Sequence, residues 1–311
     1  MTDIITTAAE IAQGYTEDDA QALGAQSYPS IQWMHGKKEL KQLGSDHPQY
    51  TGGWFAPQAQ IERLDLTPEA LAAWQEGSVT YGNGDEEAGW MCRDLTMSVI
   101  AWRRAWEVRL GRRVHYLPWS ERNSYDRAKA MADSGNGYVT GRLKVLVVPQ
   151  GWPVEEPVTL TLHGTAGREF FNAMALAQRN ILQPFAKASK IKHGRIPFRM
   201  FWLTIGPQRT ADGQPAFVKV GEAAASSWTT PPALIGVTEK LTVQEIVKLF
   251  VDADAPKERV RLTAFDALWN DPATQEWVHA WDTEAEPAEE EATAASEDDF
   301  APLVDEEPIP F

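Results

Sequence analysis

Met97-Ser98-Val99-Ile100-Ala101-Trp102-Arg103-Arg104-Ala105-Trp106-Glu107-Val108 is the stretch on which the reading of the fold turns. It holds no glycine or proline and is rich in β-branched and aromatic residues, so it predicts a long strand. Period-two alternation puts Ile100, Trp102, Arg104 and Trp106 on one face, with Arg103 opposite. If that face is open, Arg104 can meet a phosphate while the indoles stack on bases. If it faces a core, Trp102 and Trp106 pack under the sheet and Arg103 is solvated. Unpaired arginine is rarely buried, which favours the open face.

Working outward, the basic turn Arg109-Leu110-Gly111-Arg112-Arg113 leads into a strand over 114–119, and a short helix is expected over 125–132. Residues 138–148 are β-branched and strand-like, Gln150-Gly151-Trp152-Pro153 breaks them, and 158–163 make a further strand. Phe170, Phe171, Met174, Leu176, Ala177 and Ile181 then fall at helical spacing, predicting an amphipathic helix over 165–183. Strands over 198–205 and 216–220 follow, joined by the turn Ala211-Asp212-Gly213-Gln214. The class is mainly β with added helices, α+β. Three strands, a helix and two strands is the order of the OB-fold, a five-stranded barrel with its helix between strands 3 and 4. Another antiparallel sheet with a covering helix explains the same periods.

Upstream, a short helix over 4–12, an extended piece over 31–34 and a helix opening at Thr67-Pro68-Glu69-Ala70 are expected. Downstream lie helices over 242–250, with Thr242 and Glu245 as a capping box, and over 256–269. The organisation expected is an N-terminal extension packed on the barrel (1–95), an OB-like nucleic-acid-binding core (96–225), a C-terminal helical segment (226–281) and a disordered acidic tail (282–311).

Binding a single strand without sequence readout needs cations along a groove and rings against base faces. Trp102, Arg103, Arg104 and Trp106 form the densest such group. Arg112 and Arg113 with Tyr116 and Trp119 form a second. Arg142 and Lys144 alternate with Leu143, Val145 and Val147, so a cationic face opposes an apolar one. Lys187, Lys190, Lys192 and Arg195, with Arg199 beyond, make a basic loop whose plain alternative is solvation. Trp152 after Gly151, and Trp54-Phe55 after Gly52-Gly53, lie at turns, where a ring is well placed to bind. Trp202 and Phe217 on expected strands read as core residues.

Charge divides the chain. Residues 282–311 carry twelve acids and no lysine or arginine, so 1–281 keep 32 acids against 29 bases, a net of about −3 rather than −15. The low overall pI therefore does not exclude a nucleic-acid-binding body, because local clustering of cations decides. The chain closes on Asp305-Glu306-Glu307-Pro308-Ile309-Pro310-Phe311. This ending resembles the acidic tips of bacterial and phage single-stranded DNA-binding proteins, which finish in a similar Ile-Pro-Phe. Pro308 departs from the pattern by interrupting the acid run, the body is far longer than the standard bacterial member, and a Gly/Gln-rich linker is absent. The resemblance covers only the tail. It implies that Asp305, Glu306, Glu307, Ile309, Pro310 and Phe311 dock on proteins of DNA replication, recombination and repair, with Phe311 in an apolar pocket and the acids steering encounter. A solubilising acidic tail is the alternative.

One cysteine, Cys92, excludes an internal disulfide framework and suits a reducing, cytoplasmic setting. No apolar run spans a bilayer and the start lacks a signal-peptide pattern, so no membrane partner is expected. Phosphate-cradling glycine motifs are missing, and the six histidines are scattered without cysteine partners. Neither an enzyme, a cofactor nor a metal is expected. The partners expected are single-stranded DNA and, through the tip, DNA-processing proteins; self-association is compatible with the sequence. An adaptor or DNA mimic that does not bind nucleic acid, an RNA-binding OB protein and a hydrolase with a dispersed active site remain rival readings.

Overall fold

The computed structural model describes residues 28–44, 46–64, 66–80, 85–111, 113–154, 156–191, 196–220 and 227–281. Its strands are β1 (Ser30–Met34), β2 (Gly53–Pro57), β3 (Gln75–Thr80), β4 (Glu86–Cys92), β5 (Leu95–Leu110), β6 (Arg113–Pro118), β7 (Tyr138–Pro149), β8 (Val158–His163), β9 (Leu203–Pro207), β10 (Val218–Val220), β11 (Ser227–Thr229) and β12 (Pro232–Leu234). Its helices are α1 (Pro48–Thr51), α2 (Gln58–Ile61), α3 (Ser124–Ser134), α4 (Gly164–Ala177), α5 (Gln183–Ser189), α6 (Val243–Lys248), α7 (Val260–Asn270) and α8 (Pro272–His279). The fold is mixed α+β.

The decisive stretch lies in β5, which is 16 residues long and organises the sheet. One edge pairs with β7 from Met97 to Arg109; the other pairs with β9 near its start and β6 near its end. The sheet has ten strands, in the order β12-β9-β5-β7-β8-β1-β2-β4-β3 with β6 beside β5. Its neighbours are antiparallel except β1 and β8, which run parallel. The ladders do not close into the expected five-stranded barrel: β12 and β3 end an open sheet. From β5 onward four strands, β5 to β8, and not three precede the helix α4, and β1 to β4 come before them.

The sheet nevertheless curls, and side chains bridge the gap that no ladder spans. Trp54 Nε1 of β2 donates to the Ile205 carbonyl of β9 at 2.9 Å. Trp33 Nε1 donates to Thr230 O at 3.0 Å, and Gly36 N donates to Thr230 Oγ1 at 2.9 Å. Gly52 is required beside this seam, because its φ is +82° and an added Cβ would meet Thr230 Oγ1 at 2.0 Å. Inside the curl, Met97, Val99, Val145, Leu160, Leu162 and Trp54 build the main core, closed by Phe170 and Met174 of α4.

A bulge in β5 between Val99 and Ala101 shifts the alternation by one residue. Val99 faces the main core, while Ile100 and Ala101 both pack on the outer side against Phe265 of α7 and Trp277 of α8. Ile100 therefore leaves the face that holds Trp102, Arg104 and Trp106. A third core joins Trp106, Val108 and Leu117 to Ala128 and Ala132 of α3.

Other expectations shift for physical reasons. Thr67 Oγ1 accepts from Ala70 N at 3.3 Å, but Pro68–Ala73 makes only turns. Trp74 is already committed against Trp152, at 5.7 Å, and Gln75 enters β3. Trp54 and Phe55 lie fully buried on β2 rather than exposed at a turn. Phe198–Met200 is a 3-10 turn, so the expected strand starts only at Leu203. α7 begins at Val260, after Arg259 with φ +51°. α8 went unforeseen, although Asp271, accepting from Thr274 N, and Pro272 are a legible helix start. The helix expected over 4–12 and the tail lie outside the described residues.

The capping box forms as expected: Glu245 N donates to Thr242 Oγ1 and Thr242 N to Glu245 Oε2. Thr242→Ala is expected to cost about 1 kcal/mol, read as a lower urea midpoint at unchanged slope. An unshifted midpoint would show that α6 does not depend on its cap.

Candidate nucleic-acid interface

Outward-facing side chains of β5, β7 and β8 meet on one surface because antiparallel register sets them opposite one another. Arg103 pairs with Lys144, Ala105 with Arg142, and Arg142 with His163. Arg103 lies between two indoles, 4.5 Å from the Trp277 ring and 4.4 Å from the Trp281 ring, and its Nη1 donates to Trp277 O at 2.8 Å. Trp281 stacks on Tyr116 at 5.0 Å with 20° between planes, and Lys144 Nζ lies 5.7 Å from Trp281. Arg142 sits 5.8 Å from the Tyr116 ring.

One carboxylate organises the cations beneath. Glu107 Oε2 accepts from Arg142 Nη1 at 2.5 Å and Oε1 from Arg109 Nε at 2.6 Å. Burial alone would raise the Glu107 carboxyl, but the charge interactions with Arg142, then His163 and Arg109, outweigh it and hold it at about 2. His163 is pushed down to about 3, by burial first and then by the Arg142 cation. The residue keeps some surface exposure, yet a ring opposite Arg142 has strong reason to stay neutral. Burial lowers Arg103 to about 10.

The His163 shift has a definite sign. Between pH 6.5 and 3 the unfolded chain takes up a proton that the folded imidazole refuses, so stability falls as pH falls through that window. We expect a contribution of up to about 1.4 kcal/mol per pH unit that His163→Gln removes. Parallel stability–pH curves for the two proteins between pH 6 and 4.5 would refute it.

On the opposite face of β5, Trp102, Arg104 and Trp106 stand together. The Arg104 guanidinium lies 4.8 Å from Trp119 and 4.4 Å from Phe171. Trp102 contacts Phe171 at 6.0 Å and Phe198 at 5.7 Å, and Trp106 stacks on Trp119 at 3.9 Å. Trp106 is buried; Trp102, Arg104 and Trp119 are half-buried.

The remaining sequence-selected residues are dispersed. Arg113 is exposed at the start of β6, and Lys187 and Lys190 are exposed at the end of α5. Arg199 turns away to Asp266, at 2.6 Å, and to the Trp269 ring, at 5.5 Å. Trp152 is buried, donating from Nε1 to Ala70 O at 3.0 Å. Arg112, Lys192, Arg195 and the tip residues 305–311 lie outside the described residues. The structure thus gathers Arg103, Tyr116, Arg142 and Lys144 on one side of β5 and Trp102, Arg104, Trp106 and Trp119 on the other. Sequence reasoning missed Glu107, His163, Trp277 and Trp281. Only the first carried a signal: Glu107 and Arg109, two apart on a strand, share a face with Arg103.

The chain matches no family model, no curated protein and no solved structure. Among the described residues no helix is long and apolar enough to cross a membrane.

Proposed function

We propose that this protein binds single-stranded DNA without sequence readout through an OB-like body, and recruits DNA-processing proteins through its acid-rich C-terminal segment. The observation that carries the reading is the side-by-side placement of Arg103, Lys144 and Arg142 with Tyr116 on the outer face of β5, β7 and β8. Oligonucleotides lie on the face of the second and third strands in OB-folds, with loops at either end. In support of this reading, β5, β7 and β8 are adjacent antiparallel strands, with the intervening β6 on the other edge of β5, α4 follows β8, and β9 pairs antiparallel with β5. The place between the third and fourth strands is shared by β1, parallel to β8, and β12, antiparallel to β9. The β10–β11 hairpin sits in the connection after β9, where a strand-gripping loop belongs.

Arg142 and Arg109 pair with Glu107, and Arg103 and Lys144 lie opposite each other on the neighbouring positions of the same face. Four cationic side chains gathered on one face suit a polyanion whose binding weakens with salt. Arg142, ion-paired and buried, positions the surface; Arg103 and Lys144 are the contacts. Titrating a labelled oligo-dT by anisotropy is the test. Arg103→Ala with Lys144→Ala should weaken binding roughly tenfold and lower the salt slope by about 1.4, about 0.7 for each contact on a single strand. No binding by the unaltered protein sinks the reading.

Burial of Trp106 and Trp152 favours the rival adaptor reading, since rings inside cores cannot stack on bases. It predicts tail-dependent capture of a protein partner without oligonucleotide binding. Preference for a ribose strand would move the assignment to RNA.

A further inference from the structure

Trp281 covers the outer face of β5 and β7 as a ligand would, and is itself buried there at 7% exposure. Its indole is nearly parallel to the Tyr116 ring and stacked on it, lies against the Arg103 guanidinium and has Lys144 Nζ nearby. A flat heteroaromatic ring stacked on a tyrosine and flanked by two cations is the environment that a nucleobase and its phosphate require. Trp277, by contrast, is an anchor. It lies inside α8, packs edge-on to Tyr28 at 6.1 Å and belongs to the second core, and Tyr28 Oη is within 3.0 Å of Thr274 Oγ1. Trp281 comes after α8 has ended at His279, where the turn is closed by a long Ala280 N to Trp277 O bond of 3.4 Å. Moving Trp281 requires no unfolding of the helix.

We infer that Trp281 is a built-in stand-in for a base: in the free protein it fills the Tyr116–Arg103–Lys144 slot, and a nucleobase of the bound strand displaces it. The inference rests on the single-strand reading above and names the slot that reading uses. The indole must leave before a base can stack, so apparent affinity is reduced by the fraction of molecules in which the slot is open. Trp281 is also followed directly by the acid-rich segment 282–311. Base binding and release of that junction are then one event.

The test uses the full-length chain with Trp281→Ala and Trp281→Phe, titrated against a labelled oligo-dT so that loss of a tryptophan does not affect the signal. Trp281→Ala should bind roughly tenfold tighter, with Trp281→Phe in between. In the unaltered protein, amide exchange over residues 277–281 should speed up when oligo-dT is added, a measurement that does not depend on the variants folding. Weaker binding by Trp281→Ala would make the indole part of the platform and overturn the inference, as would slowed exchange. Binding by the unaltered protein with no gain in the variant overturns the stand-in alone. No binding by any of the proteins overturns both this inference and the function it rests on.

Discussion

Replacing Glu107 with alanine is expected to destabilise the protein by about 3–5 kcal/mol. The carboxylate side chain is 1% exposed, it holds the guanidinium of Arg142, itself 9% exposed, and it accepts from Arg109. Taking the anion away leaves a buried cation without its main counter-charge, a far larger penalty than the net worth of the pair. Replacing both partners with apolar residues, Glu107→Leu with Arg142→Met, should recover most of the loss. The pH dependence follows from the same contact. Glu107 is held below its ordinary 4.5, at about 2, so its contribution is complete above pH 4.5 and is lost as pH falls towards 2. Chemical denaturation at several pH values checks both points. A loss under about 1 kcal/mol in the single variant would mean that water reaches the pair.

Removing residues 282–311 should strengthen oligo-dT binding by roughly ten- to a hundredfold at low salt. The twelve carboxylates of that segment are tethered to Trp281, beside the cationic face, and compete with phosphates at a high local concentration. At near-molar salt, where the Debye length is about 3 Å, the two proteins should bind alike. The deletion keeps Trp281 seated, so its effect is electrostatic and salt-sensitive. Trp281→Ala acts by stacking and should respond little to salt. Equal affinities at low salt for the full and shortened chains would discard tail competition.

Much of the sheet could be read in advance. Arg142 and Lys144 alternating with Leu143 and Val145 predicted two unlike faces over 138–148, and β7 buries Leu143 and Val145 in the main core. The other face is covered as well, with Arg142 buried and Leu146 and Val148 in the second core. The helix after β8 was legible from Phe170, Met174 and Ile181, though it continues through a π turn at Gln178–Leu182 into α5. The bulge at Val99–Ala101 was not legible, because nothing local marks the point at which β7 slips by one residue. Nor was the burial of Trp54, Phe55 and Trp152, which a neighbouring glycine made look exposed.

The candidate surface divides the same way. By itself the sequence determined that Arg103 lies across the strand from Trp102 and Arg104, because successive side chains on an extended backbone point to opposite sides. Only the tertiary structure decided what meets those faces: Trp277 reaches Arg103 from 174 positions away, and Glu107 meets Arg142 across 35. The alternation is a property of backbone geometry at each residue. The covering of a face depends on which distant segment gains more from burying its own rings there than it loses in chain entropy, and no local pattern records that balance.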